Sequence, residues 1–256
     1  MRLLLTNDDG IDADGITTLR KVLSREHEVF TVAPLSNKSG SSCSIKMYKK
    51  LELQKKDEKT YTLDGTPTDC VVSAIKGNFV CGPFDAVLSG INQGANLGTD
   101  TIYSGTCGAA RQAAVFGIPG IALSVESLVP NGGITAQGNL LYEPLVEFVL
   151  KNLEVLVSLC KKNQFLNINA PSITKFSGIK FCSLSFRDYG DKVSLISDDS
   201  ERKIYSVCEG GALTTLGDDK NDSLWVSKGY IALSLLDIFP KIYEVEKDFA
   251  QKIKLN

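Results

Sequence analysis

The sequence predicts an α/β protein built on a doubly wound, mostly parallel sheet, with a β-rich section added at its C-terminal end. Three observations carry that expectation. Through the first two-thirds of the chain, short apolar runs closed by Gly, Pro or polar clusters alternate with stretches that repeat apolar residues at helical spacing. The opening run, residues 3–6, a helical repeat at Ile16, Leu19, Val22 and Leu23, and a second run, residues 29–33, make a strand, a helix and a strand within the first 33 residues or so. Such a βαβ unit crosses over right-handed. From Gly178 onward the pattern changes to short apolar–polar alternations separated by charged turns.

The elements follow in order. After Pro34, SNKSGSSCS reads as a loop by composition. Residues 47–53 and 60–63 flank the charged KKDEK and predict a hairpin. DGTPTD opens a helix, with Pro67 suited to its first turn and Asp64 or Thr66 as cap. Residues 84–89 and 118–124 are core strands on either side of a helix of small residues, 107–116. A long helix covers about 140–160, and a strand at 166–168 ends before Pro171. KFCSLSF, KVSLI, KIYSVC and SLWVSKGYIALSLL then read as antiparallel strands, and a last helix starts near Lys241. The whole reads as one unit of 256 residues: a core over 1–175 and a β-rich extension with a terminal helix over 176–256, expected to serve self-association.

Bulk numbers narrow the function. A hydrophobic content of 43%, a charged content of 23% and a net charge of -2 describe an ordinary globular chain with no bulk attraction for nucleic acid duplexes or anionic membranes. No apolar run approaches a membrane span and nothing precedes Asn7 that reads as a signal peptide, so the cytoplasm is the expected compartment. The seven cysteines are scattered without a CxxC, which argues against a disulfide framework and a zinc site. The one histidine, His27, lies in strand-like HEVFTVAP and reads as structural. Imidazole-rich metal sites are excluded.

Function concentrates in four polar loops expected at the carboxyl ends of the strands, where open parallel sheets bind ligands. They are NDDG, SNKSGSS, SGINQGANLG and YSGT. Asp8 and Asp9 are adjacent just past the first strand. Two such charges repel unless a cation or a shared proton holds them, which makes the pair a candidate metal site; the plainer alternative is that Asp9 or Asp12 caps the next helix. Ser104-Gly105-Thr106 opens a helix of small residues, an anion site by geometry, although close helix packing explains the small residues equally well. It is neither a Walker A loop nor a GxGxxG fingerprint. A helix terminus contributes about 2 kcal/mol at most, far short of what phosphate-monoester hydrolysis requires. A divalent cation supplies several kcal/mol more. Asp8, Asp9 and neutral loop oxygens form a hard, oxygen-only set suited to Mg²⁺ or Mn²⁺. The pieces fit a metal-dependent phosphatase acting through direct attack of metal-activated water.

The chain also resembles the SurE family of survival-protein nucleotidases, through LLLTNDDGIDADG, APLSNKSG, DGTPTDC, SGINQGANLG and YSGT in the family's order and spacing, with looser likeness in LNINAP and DSLWVSKGYIALSLL. The resemblance implies a Rossmann-like core, a C-terminal section used for dimerisation or tetramerisation, and hydrolysis of nucleoside monophosphates at the 5′ and also the 3′ position. It further implies one divalent metal ion per subunit held by Asp8, Asp9, Ser39 and Asn92, with Asn96, Ser104, Gly105 and Thr106 lining the phosphate position. The chain departs from the family pattern at Thr6, Lys38, Cys107 and Gln112, where the family usually has Ser, another residue, Val and Glu. Tyr103 could stack a base, with packing at a helix start as the plainer reading. Competing readings are an aspartyl-phosphate phosphatase of the haloacid dehalogenase kind, whose DxDG differs from NDDG by one position, a receiver-like switch, which leaves SGINQGANLG and YSGT unexplained, and a nucleotide sensor using the same site without turnover.

Overall fold

The computed structural model describes residues 1–80, 82–127, 140–199, 201–210 and 213–241. The elements in chain order are β1 (Arg2–Thr6), α1 (Asp14–Leu23), β2 (Glu28–Pro34), β3 (Leu53–Lys55), β4 (Thr60–Leu63), α2 (Pro67–Lys76), β5 (Ala86–Gln93), α3 (Asp100–Tyr103), α4 (Gly105–Val115), β6 (Gly120–Glu126), α5 (Glu143–Leu159) and β7 (Gln164–Pro171). The C-terminal part adds β8 (Ile179–Phe181), β9 (Phe186–Asp188), β10 (Lys192–Asp198), β11 (Lys203–Glu209), β12 (Thr214–Leu216), α6 (Asp222–Ser227) and β13 (Ile231–Asp237).

Among the described residues a nine-stranded sheet runs in the order β3-β4-β2-β1-β5-β6-β7-β13-β8. From β4 to β7 every pairing is parallel. Only β3, paired to β4, and β13, paired to β7, are antiparallel. This is the α/β, doubly wound and mostly parallel sheet expected. The strand period of two sends Leu3 and Leu5 of β1 to one face, where α1 and α5 bury Ile16, Leu19, Leu145 and Val149, and sends Leu4 to the other, where α2 and α4 bury Cys70, Val71, Ala109 and Ala113. Because β2 and β5 flank β1, the chain leaves in opposite directions from neighbouring strands. The crevice outside the carboxyl ends of β1 and β5 is therefore the topological switch point.

Local chemistry fixes several boundaries. Thr66 caps α2, with its hydroxyl accepting from Asp69 N (3.1 Å) while the Asp69 carboxylate accepts from Thr66 N (2.9 Å). At Gly15 in α1 a Cβ would come within 1.9 Å of the Ile91 carbonyl, so only glycine lets the helix lie this close to β5.

The structure corrects some expectations. The hairpin is present, but its first strand is the three residues of β3, and residues 47–51 are not strand. The segment DSLWVS is helix α6, not strand, because Asn221 Oδ1 accepts from Leu224 N (2.9 Å) and starts a helical turn. β8 and β13 join the central sheet, which thus runs across the 175/176 line expected between core and extension. The helix expected from about Lys241 lies outside the described residues. No helix among the described residues is long and apolar enough to cross a membrane. His27 sits just before β2, its Nδ1 3.4 Å from the N-terminal amine, away from the polar loops.

Candidate metal and phosphate site

The site begins with a tight turn after β1. Asn7 bonds Gly10 both ways, Nδ2 donating to the Gly10 carbonyl (2.8 Å) and Gly10 N donating to Oδ1 (3.3 Å), with Gly10 at φ +110°. That closure ends the strand and presents Asp8 and Asp9 in succession. The Asp8 carbonyl accepts from Lys38 N (2.6 Å), which pins the loop after β2 to the loop after β1 and brings neighbouring Ser39 to the crevice. Ser39 is exposed, its amide held by Asn37 Oδ1 (2.8 Å). On the other side Gln93 N donates to Asp9 Oδ2 (3.1 Å), which ties the end of β5, and with it Asn92, to the carboxylate pair. Asn92 spends its Nδ2 on the Gly94 carbonyl (2.7 Å), leaving its oxygen as the atom it can offer a cation.

Asp8 is buried and lies against the start of α4. Thr106 donates to it twice, from Oγ1 to Oδ1 (2.5 Å) and from N to Oδ2 (3.2 Å). Ser104 caps α4 by accepting from Cys107 N (3.0 Å). Gly105 has no room for more than hydrogen: a Cβ there would be 2.9 Å from Asp8 Oδ2. Small residues at the start of this helix therefore serve close approach to a carboxylate as well as helix packing. The capping alternative for Asp9 and Asp12 is not what the chain does, since the residue at the N-cap of α1 is Ala13 and no side chain caps the helix.

Asn96 is placed less directly. Its Nδ2 donates to Ser124 Oγ (2.9 Å), and its backbone is clamped by two side chains of β7: Asn169 Oδ1 accepts from Asn96 N (2.8 Å), and Asn167 Nδ2 (2.8 Å) and Asn169 Nδ2 (3.1 Å) donate to Asn96 O. Farther along the same loop, buried Asp222 accepts from Gly98 N (2.7 Å) and from Ser185 N (3.0 Å). None of these three supports was singled out from the sequence. The available signal was LNINAP, where two asparagines at strand spacing face the crevice in an otherwise apolar run.

Electrostatics distinguish the pair. Burial pushes the Asp8 carboxyl up, against the opposing effect of the Thr106 hydroxyl. Burial, and then repulsion by Asp8, pushes Asp9 from 3.8 up to about 6. A cation is the partner that such a pair lacks. Among the described residues no cluster of three or more His, Cys, Asp and Glu could hold a metal, so any cation here relies on two carboxylates completed by neutral oxygens. That donor set is hard and oxygen-only, and it fits a divalent ion of the Mg²⁺ or Mn²⁺ kind.

The raised carboxyls have a measurable consequence. In cation-free protein the native state keeps on Asp9 a proton that the unfolded chain releases above 3.8, so this group's contribution to stability falls as pH rises from about 4 to about 6. Cation binding requires that proton to leave. The rise in Tm caused by Mn²⁺ should therefore be larger at pH 7 than at pH 5. In chelator, Asp9→Asn should gain Tm relative to the wild type over the same interval. A Mn²⁺ effect independent of pH between 5 and 7 would contradict this.

Beside Asp9 a cleft of about 280 Å³ is lined by Asp12, Ala13, Asp14, Asn37, Gln93 and Tyr142. Tyr103, at the end of α3, is 67% exposed. Lys38 is half-buried in the loop after β2, and Gln112 is half-buried on α4 two turns beyond Ser104.

The sequence model of the family described as Survival protein SurE matches residues 3–191. The chain belongs to the SurE family. Among SurE relatives, the 5′-nucleotidase SurE of Clostridium botulinum is 34% identical over 97% of this chain and 100% of its own. That of a Marinomonas species is 37% identical over 95% of this chain and 94% of its own. The crystal structure of the SurE protein from Aquifex aeolicus superposes with a TM-score of 0.81 at 30% identity, covering 98% of this chain and 99% of that one. The SurE fold thus extends over the C-terminal strands as well as the core.

Proposed function

We propose that this chain is a metal-dependent 5′-nucleotidase that hydrolyses nucleoside monophosphates to nucleoside and phosphate, with Asp8, Asp9, Ser39 and Asn92 holding one Mg²⁺ or Mn²⁺ and Asn96, Ser104, Gly105 and Thr106 receiving the phosphate. Membership of the SurE family and the names of the relatives support the activity. The observation that carries the residue assignment is the double hydrogen bond from Thr106 to Asp8. It sets a carboxylate pair that needs a cation directly against a helix start that favours an anion, and a phosphate bound to a metal is both partners at once.

A divalent cation bound here supplies Lewis-acid charge and lowers the pKa of the attacking water. The chain's own groups do the rest. Asp8 and Asp9 fix the cation's place. The Ser104 hydroxyl, which accepts from Cys107 N and keeps its own proton, is a donor for a phosphate oxygen, while the amide and hydroxyl of Thr106 are spent on Asp8 and hold that carboxylate in place beside the phosphate position before substrate arrives. The Asn167–Asn169 clamp keeps Asn96 in register with them. The P–O bond to the nucleoside breaks as one forms from water, and the leaving oxygen takes the proton. Both Asp8 oxygens already accept hydrogen bonds and Asp9 faces a cation site, so neither is a free nucleophile.

Phosphate release from a nucleoside 5′-monophosphate, abolished by chelator and restored by Mn²⁺ or Mg²⁺, is the test. A stereogenic, isotopically labelled phosphate should be inverted; net retention would indicate an aspartyl-phosphate. No turnover with any added metal would leave the sensor reading.

We also place the enzyme in the cytoplasm as a homodimer or homotetramer. The β10–β11 hairpin supports self-association: Val193, Ile196, Tyr205 and Val207 are all more than half exposed, an apolar surface that a second copy would cover. Light scattering at micromolar concentration should give at least twice the mass of one chain, and a sharp monomer peak would count against it.

A further inference from the structure

Of the residues assigned above to cation and phosphate, Asp9 alone lines the cleft of about 280 Å³. Its walls come from the loops after β1 and β2, the end of β5 and the start of α5, and none of them comes from α4. The cleft therefore begins at the cation position and leaves the phosphate position on α4 free. In a nucleotide whose phosphate sits on that cation, the sugar is the next group along the chain of bonds. The open space beside Asp9 is where it can lie.

The chemistry of the walls suits a sugar better than a base. Asp12 and Asp14 are exposed along the cleft, and among the described residues no hydrogen bond or ion pair holds either carboxylate. Their place at the start of α1 accounts for the sign of the charge; it does not account for the cleft. The one aromatic wall is Tyr142, 7% exposed, with its ring in the core that α1 and α5 share. Burial, and then the charges of Asp9 and Asp14, push its phenol up to about 12, so the hydroxyl stays a proton donor and lies on the cleft side beside both carboxylates. Among the described residues that hydroxyl has no hydrogen-bond partner, although buried polar groups are as a rule paired. Two free carboxylates and one fixed donor match a group rich in hydroxyls, and a carboxylate is a standard partner for a ribose hydroxyl. A base would call for apolar faces to stack on, and a second phosphate would be repelled.

We infer that the cleft beside Asp9 is a ribose subsite, in which the 2′- and 3′-hydroxyls donate to the Asp12 and Asp14 carboxylates and the Tyr142 hydroxyl donates to a sugar oxygen. The inference rests on the nucleotidase reading of the site and names its substrate class: ribonucleoside monophosphates, ahead of deoxyribonucleotides and of nucleotides with a second phosphate on the sugar. Asp12 and Asp14 are specificity residues here, and the cation and phosphate keep the ligands already given.

The test is a calorimetric Kd for adenosine, 2′-deoxyadenosine and 3′-deoxyadenosine with the full chain in saturating Mn²⁺, which needs no turnover. Wild type should bind adenosine about tenfold more tightly than either deoxy analogue, the scale of a hydrogen bond to a charged group. The Asp12→Ala, Asp14→Ala double variant should bind all three alike, at about the wild-type deoxyadenosine value. Tyr142→Phe, which keeps the ring in the core, should weaken all three and retain the preference for adenosine. Equal wild-type Kd values for the three nucleosides overturn the inference, and so does a preference that survives in the double variant. Loss of all three ligands in parallel in the double variant overturns it as well, because the carboxylates would then act through the fold or the cation. Wild-type protein that prefers adenosine yet releases no phosphate from nucleoside monophosphates defeats the nucleotidase reading and leaves the ribose subsite standing; phosphate release without the preference does the reverse.

Discussion

Asp9→Asn is expected to lower kcat/KM by at least about 10³-fold while leaving the fold intact. A divalent cation contributes several kcal/mol to transition-state stabilisation, and each 1.36 kcal/mol or so is tenfold in rate. Asp9 is the informative member of the pair. Among the described residues its hydrogen bond is from Gln93 N, which an Asn oxygen accepts equally well. Its charge is unfavourable in cation-free protein, where burial and Asp8 oppose it. The variant should therefore keep or raise its Tm in chelator, so that lost activity cannot be put down to unfolding. Near-wild-type kcat/KM would remove Asp9 from the cation site. Asp8→Asn is a harsher change, because Asp8 is buried and receives both Thr106 bonds.

Gly105→Ala should cost about 10²-fold in kcat/KM, the scale of a misplacement near 1 Å in a catalytic group. The added methyl would stand 2.6 Å from Ser41 Oγ, 2.9 Å from Asp8 Oδ2 and 3.0 Å from Asp8 Cβ, closer than a methyl can stand to any of them. Ser41 can turn aside, whereas Asp8 is held by Thr106 and must drag α4 or the β1 loop with it. Stability should change little, because alanine is the better helix former by about 1 kcal/mol and offsets part of the strain. Wild-type kinetics with the methyl in place would mean that the Asp8–α4 contact does not govern the reaction.

Much of this arrangement was legible in the sequence because its determinants are local. The strand ending in NDDG, the βαβ repeat and the Thr66-Pro67 helix start each depend on residues within a few positions, and each is found where expected. The segment DSLWVS was misread because six residues with Leu, Trp and Val carry no usable period; Asn221, at the cap, decides for helix. Residues 47–51 were expected in the hairpin only because they precede the charged KKDEK turn, and they find no partner in the sheet, since pairing is a non-local property.

The supports of the site were illegible for the same reason. Asn167 and Asn169 meet Asn96 across about 70 residues of chain, and Asp222 meets Gly98 across 124. The largely buried ion pair of Arg187 with Asp100 (2.9 Å), which Tyr189 joins through its hydroxyl (3.0 Å), likewise couples the C-terminal strands to the turn before Ser104. A sequence shows that such residues are polar in apolar surroundings. It does not show which loop they hold. The section from Gly178 onward is thus part of what shapes the loop before Ser104, proposed above to receive the phosphate, beyond any role it has between subunits.

The proposed seat of the cation on the Asp8–Asp9 pair and the dependence of hydrolysis on that cation are read together by a Mn²⁺ titration followed in one sample by paramagnetic resonance and by phosphate release. The titration should show one tightly bound Mn²⁺ per wild-type chain, turnover that rises in proportion to the bound ion, and neither in the Asp8→Asn, Asp9→Asn double variant. Full turnover by wild-type protein stripped of metal, or wild-type Mn²⁺ binding by the double variant, would contradict it.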